Sequence, residues 1–244
     1  MLTWFFDLDN TLHDASHRIF PAINTNMNQY IAQVLAEAGM PSDIDSVNAA
    51  RINYWQRYGA TLLGMVRHYQ VRPDDFLLAA HRFDDLRSMI RAESGLGDLL
   101  RRLPGRKILL TNAPAHYARQ VLRHLGLHRQ FTRSIAIEDM RVHGKLRPKP
   151  SRAMLRQLIA KKRLAPSRCV LVEDTLGNLK AAHRLGFQTV WITRYGIAAA
   201  TPSPTSAVTP AATLAPSAFI KRPHYVDVKV KSLKQLSGQY HRLR

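Results

Sequence analysis

Asp7 and Asp9 stand two positions apart in Asp7-Leu8-Asp9-Asn10-Thr11, directly after the mostly apolar run Leu2–Phe6. Residues two apart on an extended segment point the same way, so both carboxylates can face one site. Asp-x-Asp-x-Thr arises by chance in roughly one chain in twenty, and a turn with solvated acids or a helix cap would use it too. Its place after a buried run weighs against those uses. Thr111 and Asn112 close the run Ile108–Leu110 and offer a hydroxyl and backbone N–H groups, unless Thr111 only caps a turn. Lys149, in Arg147-Pro148-Lys149-Pro150, is either a solvated cation or a charge brought to the same place. Glu173 and Asp174 end Cys169–Val172, where two acids could merely favour the positive end of the next helix. If these segments are parallel strands of one sheet, all six residues meet in one crevice. Four carboxylates there repel one another by several kcal/mol even at an effective dielectric of about 20. A hard divalent cation relieves this, and oxygen ligands select Mg²⁺ over zinc. Mg²⁺, a lysine and backbone donors together suit the spread negative charge of a phosphoryl group.

The elements needed to position these groups are legible. Leu2–Phe6, Lys107–Thr111, Arg133–Ile137, Arg168–Glu173 and Gln188–Thr193 read as short buried strands. Ala115–Leu125, Ser151–Arg163 and Leu176–Leu185 read as helices between them, with Gly126 and Gly186 at helix-ending positions. This alternation predicts an α/β fold with a parallel sheet, whose chemistry gathers at the strands' carboxyl ends. From about Asp14 to Arg102 strand signals give way to helical periodicity over 16–38, 44–57, 60–70, 73–83 and 84–93. So long a stretch is a second, helical domain, with hinges expected near Leu12–Ser16 and Ala92–Gly97. The expected division is 1–13 and 97–244 for the core and 14–96 for the insert.

Ala198–Ser217 is rich in Ala, Pro, Ser and Thr without a charge, and predicts a surface loop within 198–220. Alternation at Tyr225–Val230 predicts a last strand before a short helix. The 244 residues carry 36 Lys+Arg against 17 Asp+Glu, a formal net charge of +19, with +6 of it from Lys221 onward. Such a field attracts anions of any kind, from phosphate esters to nucleic acid. No apolar run approaches the roughly 18–20 residues of a membrane helix, and the opening residues lack a signal-peptide pattern. The single Cys169 excludes an intramolecular disulfide framework. A cytoplasmic protein with no membrane role is expected.

The order Asp-x-Asp-x-Thr, strand-end Thr-Asn, Lys-Pro and Val-Glu-Asp-Thr resembles the haloacid dehalogenase-like (HAD) superfamily, over residues 1–195. The resemblance implies a Rossmann-like core and an α-helical cap of the C1 type inserted after the first strand. FFDLDNTLH, YGATLLGMVRHYQVRPDDF, TNAPAHYARQVLRHLGL and VEDTLGNLKAAHRLGF are similar to its pyrimidine 5′-nucleotidase branch. By this resemblance Asp7 is the nucleophile that forms an aspartyl-phosphate, and Asp9 is the general acid and base. Thr111 and Asn112 hold phosphoryl oxygens, and Lys149 neutralises charge and orients Asp7. Mg²⁺ is held by Asp7, the Asp9 carbonyl and Asp174, with Glu173 a ligand directly or through water. Asn178 either buttresses Asp174 or lies on the helix surface. Dehalogenases of the superfamily lack the acid at the position of Asp9, so phosphate transfer is expected. Glu173-Asp174 departs from the Asp-Asp common among nucleotidase relatives and also occurs in sugar-phosphate members.

Substrate choice is expected in the insert. Arg51, Tyr54, Tyr58, Thr61 and His81 could reach a leaving group, and Tyr54 and Tyr58, at i and i+4, could sandwich a base or simply pack the insert's interior. The expected partner is a small phosphate ester, a nucleoside monophosphate. Phosphoglycolate or a sugar phosphate is the alternative substrate. A basic nucleic-acid-binding protein is the alternative of a different class, disfavoured because the cations form no known reading motif.

Overall fold

The computed structural model describes residues 1–195 and 221–243, so the expected 198–217 loop lies outside the described residues. The chain divides into two compact units. Met1–Ala15 and the described residues from Ile90 onward form one; Ser16–Met89 forms the other.

The first unit is built on β1 (Thr3–Phe6), a strand with all four residues buried, as a central strand of a parallel sheet must be. The second unit follows with α1 (Ile19–Glu37), α2 (Ile44–Tyr58), α3 (Thr61–Tyr69), α4 (Pro73–Ala80) and the short α5 (Leu86–Met89). The chain then re-enters the first unit through α6 (Leu96–Arg102), β2 (Arg106–Leu110), α7 (Ala115–His124) and β3 (Arg133–Ile135). A hairpin of β4 (Arg141–Val142) and β5 (Lys145–Leu146) leads to α8 (Arg152–Lys161), β6 (Cys169–Glu173), α9 (Leu176–His183) and β7 (Gln188–Ile192). β8 (Val228–Val230) and α10 (Leu233–Leu236) complete it.

Six strands pair in the order β3-β2-β1-β6-β7-β8, every pair parallel. The expected α/β sheet is therefore present, and its strand order reverses between β1 and β6, where ligand crevices form in such sheets. On one face Phe5, Ile108, Leu110 and Leu171 pack with Met154 and Leu155 of α8 and Leu179 and Ala182 of α9. Gly126 and Gly186 take positive φ after α7 and α9, as helix-ending glycines do.

Some expectations change in detail, and β3 ends at Ile135 where a strand to Ile137 is expected, because Ile137–Asp139 turns into a short 3-10 helix. The last strand is only Val228–Val230, because Asp227 turns its side chain to the Thr189 backbone. Helix at 84–93 is confined to Leu86–Met89. The β4–β5 hairpin was not anticipated; its turn is His143-Gly144, both at positive φ, as a two-residue hairpin turn requires.

Within the helical unit α2 is capped by Asp43, whose carboxylate accepts from the backbone N–H of Asp45 and Ser46. It ends at Gly59, in the left-handed conformation. α3 approaches α2 so closely that a Cβ on Gly64 would meet the Tyr54 ring at 2.2 Å.

Candidate active site

Register brings the chemistry level. Phe6 pairs with Leu109 on one side and Val172 on the other, so Asp7 and Glu173, each one residue on, leave adjacent strands together. Asp7 N–H donates to Val172 O at 3.0 Å and keeps that alignment to the last residue. The chain then turns sharply, with Leu12 N–H donating to Leu8 O at 2.8 Å and Asn10 at φ 58°. Asparagine tolerates that left-handed position, and Asn10 Oδ1 also accepts from Ala15 N–H at 3.1 Å.

Lys149 reaches the same point from the loop before α8. Its Nζ lies 2.7 Å from Asp7 Oδ1 and 2.7 Å from Glu173 Oε2, and all three side chains are buried. Asn112 fixes the lysine's backbone. Its Oδ1 accepts from Lys149 N–H at 2.9 Å and its Nδ2 donates to Lys149 O at 3.0 Å. Thr111 is buried beside it, its hydroxyl oxygen accepting from Ala113 N–H at 3.0 Å. Glu173 is doubly engaged, since Oε1 accepts from Thr175 N–H at 3.2 Å while Oε2 meets Lys149. Asp174 is half-buried, accepts from Thr175 Oγ1 at 3.1 Å, and has its carbonyl oxygen tied to Trp191 Nε1 at 2.9 Å. Asn178 is buried on the first turn of α9.

Carboxylate oxygens of Asp7, Glu173 and Asp174 lie within 4.8 Å of one another. Burial first, and the Glu173 charge second, push the Asp7 carboxyl up to about 7 despite the ammonium beside it. Burial and the same neighbours raise Asp174 well above the usual range. Burial works against the Lys149 charge, but Asp7 and Glu173 outweigh it and hold the ammonium above its ordinary range. Three carboxylates around one ammonium leave about two negative charges uncompensated, which a divalent cation with oxygen ligands matches.

Asp9 belongs to a separate network that the sequence did not disclose. Its Oδ1 accepts from the Tyr117 hydroxyl at 2.6 Å and lies 2.9 Å from His13 Nε2. His13 is fully buried, and Tyr117 is 1% exposed. Burial, with Asp9 next, raises the Tyr117 phenol well above its ordinary value, so it remains a donor. Tyr117 shares the buried face of α7 with Ala118, Val121 and Leu122. The one sequence signal for His13 was its i, i+4 spacing from Asp9.

The sequence has a counterpart among known families. The profile of the haloacid dehalogenase-like hydrolases matches residues 1–186. The chain belongs to that family. Among solved structures, this HAD-like hydrolase resembles a HAD phosphatase from Thermococcus onnurineus at 17% identity and a TM-score of 0.60, over 98% of each chain. It also resembles an L-2-haloacid dehalogenase from Xanthobacter autotrophicus with chloropropionic acid covalently bound, at 15% identity and a TM-score of 0.54, over 99% of each. A third is the putative HAD-hydrolase YfnB from Bacillus subtilis bound to magnesium, at 15% identity and a TM-score of 0.53, over 99% of this chain and 98% of that one. These likenesses show the fold. No curated protein matches the sequence. Family members typically use a divalent metal, and the Asp7–Glu173–Asp174 cluster is an oxygen-donor set that fits one.

The hydrolase's insert residues divide. Arg51, Tyr54 and Thr61 are buried inside the helical unit. Arg51 donates to Asn28, Asn24 and Asn48 side chains at 2.8, 3.4 and 3.1 Å, and Thr61 Oγ1 donates to the Arg51 carbonyl at 3.1 Å. The Tyr54 ring covers Gly64 and stacks on His68 at 5.1 Å, so it takes the packing alternative. The Tyr54 and Tyr58 rings stand 6.2 Å apart, tilted by 36°. Tyr58 is half-buried with its hydroxyl 2.8 Å from His68 Nε2, and half-buried His81 donates from Nδ1 to Leu77 O at 3.0 Å. Among the described residues no helix is long and apolar enough to cross a membrane.

Proposed function

We propose that this HAD-like hydrolase is a Mg²⁺-dependent phosphomonoesterase that works through an aspartyl-phosphate on Asp7. The observation that carries the reading is Asp9, a second acid two residues from the nucleophile whose carboxyl is held by Tyr117 and His13. Chloride leaves carbon as a stable anion and asks for no proton, whereas an alkoxide leaving phosphorus does. An acid at this place is therefore an asset to ester hydrolysis and superfluous to dehalogenation.

Asp7, the Asp9 carbonyl and Asp174 would hold the cation, with Glu173 contributing directly or through water. The cation, when bound, neutralises the phosphoryl oxygens so that an anionic carboxylate can approach. An Asp7 oxygen bonds to phosphorus as the ester P–O bond breaks, and Asp9 gives its proton to the departing oxygen. Asp9 then takes a proton from water as the water oxygen bonds to phosphorus and the Asp7–phosphorus bond breaks. Lys149 orients Asp7 through the 2.7 Å contact and offsets phosphoryl charge. The Thr111 hydroxyl and the Asn112 backbone N–H donate to phosphoryl oxygens, while the Asn112 side chain steadies Lys149.

The substrate in this reading is a nucleoside 5′-monophosphate, pyrimidine by preference, supported by the resemblance of residues 5–13, 58–76, 111–127 and 172–187 to that branch. Phosphoglycolate or a sugar phosphate is the second reading, favoured by Glu173 in place of Asp and by the enclosure of Tyr54. Mg²⁺-dependent phosphate release from UMP, CMP, AMP, GMP, phosphoglycolate and sugar phosphates tests both, with Asp7→Asn as the blank. Turnover that favours pyrimidine monophosphates and vanishes in Asp7→Asn is expected. Turnover confined to sugar phosphates or phosphoglycolate overturns the substrate, and halide release from a haloacid without phosphate release overturns the chemistry.

A further inference from the structure

The +19 charge is not spread over the molecule. Ser16–Met89 holds seven Arg against seven Asp and Glu, so the helical unit is neutral and the rest of the chain carries all of the excess. A basic composition alone would load both units. The segregation points to something the first unit does.

Acids are sparse in that unit and placed elsewhere. Asp7, Asp9, Glu173 and Asp174 belong to the candidate site, Asp14 follows the turn after β1, Glu93 pairs with Arg194, Asp98 lies on α6, and Asp227 binds the Thr189 backbone. Glu138 and Asp139 cap the backbone N–H groups of Ala115 and Ala136. Between Met140 and Val172 there are ten Lys and Arg and not one Asp or Glu, and only Lys149 of the ten is buried. The hairpin and α8 form one continuous surface. Gln157 Nε2 on α8 donates to Arg141 O at 2.9 Å, and a groove of about 490 Å³ is lined by hairpin residues His143, Lys145 and Arg147 together with Ser151 and Ala153. Arg152 and Arg156 stand exposed on α8, and Lys180 and Arg184 continue the field on and just beyond α9, which packs against the same sheet face.

We propose that this hairpin–α8 surface binds double-stranded nucleic acid through its phosphates, without reading sequence. A row of exposed cations with no interspersed acid is the electrostatic footprint of phosphate contact. Single-strand binders add aromatic platforms on which bases stack, and Met140–Asp174 contains no Phe, Trp or Tyr. An anionic membrane would be held by added apolar insertion. The exposed large hydrophobics among the described residues are Met1, Met40, Ile44 and Leu78, none of them on this surface. Lys145, Arg152 and Arg156 on this surface are exposed and make none of the contacts of the catalytic cluster, so binding and hydrolysis are measurable independently.

The test is fluorescence anisotropy of the full chain with a labelled duplex of about 20 base pairs, titrated from about 50 to 200 mM salt. Binding that weakens steeply with salt is expected. The triple variant Lys145→Ala, Arg152→Ala, Arg156→Ala should bind at least about tenfold more weakly at low salt and flatten the log–log slope by about 0.9 for each phosphate contact removed. A charge-matched control, Arg102→Ala, Arg119→Ala, Arg123→Ala on α6 and α7, should bind nearly as the parent does. Hydrolysis of a simple aryl phosphate, unchanged in both variants, shows that each is folded. Equal weakening in the control, no binding at low salt, tighter binding of a single strand, or stronger binding to vesicles of about 30% phosphatidylserine overturns the proposal.

Discussion

The Asp9 carboxylate meets a buried phenol and a buried imidazole, so its orientation is set from outside the Asp-x-Asp segment. A hydrogen bond contributes about 0.5–1.5 kcal/mol between neutral groups and about 1.5–3 kcal/mol to a charged one, and the Tyr117 contact, at 2.6 Å, is short. If Asp9 delivers the leaving-group proton, Tyr117→Phe should lower kcat on alkyl phosphates such as nucleoside monophosphates by about 10–100-fold. KM should stay within about twofold, because the phosphoryl contacts at Thr111, Asn112 and Lys149 are untouched. The loss should shrink toward nothing on p-nitrophenyl phosphate, whose phenolate leaves without a proton. Equal losses on both esters would mean that the ring only packs α7 and does not position the acid. Asn112 calls for the same logic. Asn112→Ala removes both bonds to the Lys149 backbone and leaves a buried N–H unpaired, at about 1–3 kcal/mol. A loss of kcat of about tenfold or more is expected in protein that a thermal melt shows to be still folded at the assay temperature.

Elements differ in how far the sequence discloses them. Strands that are buried on both faces announce themselves as apolar runs, so β1, β2, β6 and β7 and the residues at their ends were readable before any coordinates. Their register needs no further information, since parallel neighbours that leave the core together carry Asp7 and Glu173 to one level. Groups that act through side-chain partners across the fold were not readable. Tyr117 joins Asp9 from 108 residues away, and on α7 it is indistinguishable from a core aromatic. The β4–β5 hairpin was missed because two-residue strands are too short to show a period. Tyr54 illustrates the converse: its spacing from Tyr58 offered a slot for a base, but Gly64 on α3 lets the second helix come close and roofs it over. That contact makes its own prediction. Gly64→Ala puts a methyl group 2.2 Å from the Tyr54 ring, and overpacking of this kind costs about 1–3 kcal/mol. A loss of thermal stability is expected, and Gly64→Ala should cost less in a Tyr54→Ala background than in the parent chain. Full stability in Gly64→Ala alone would show that α2 and α3 repack freely.

For the molecule as a whole, the carboxylate cluster couples stability, protons and metal. Without a cation Asp7 titrates near 7 in the folded chain against an ordinary 3.8, because burial and Glu173 disfavour its charge. Between those values the folded state therefore binds more protons than the unfolded state. The sign follows: the contribution of Asp7 to the stability of the metal-free protein falls as pH rises from about 4 to about 7, at up to 1.4 kcal/mol per pH unit, and that contribution levels off above. Asp174, raised for the same reasons, adds to the fall in the same direction. Lys149 stays charged throughout this window and adds no slope. A divalent cation needs the ionised carboxylates, so protons compete with it below about pH 7 and its affinity rises with pH to that point. Thermal melts at about pH 5.5 and 7.5, with chelator and with excess Mg²⁺, read this directly. For a chain of this size about 2–4 °C accompanies each kcal/mol. The gain in Tm from Mg²⁺ should be several degrees larger at the higher pH, and Asp7→Asn, whose amide cannot titrate, should lose much of that difference. The comparison with Asp7→Asn isolates the Asp7 carboxyl from the titrating groups that both chains share. An equal Mg²⁺ gain at both pH values in the parent protein would mean that the cation does not bind at the Asp7 cluster.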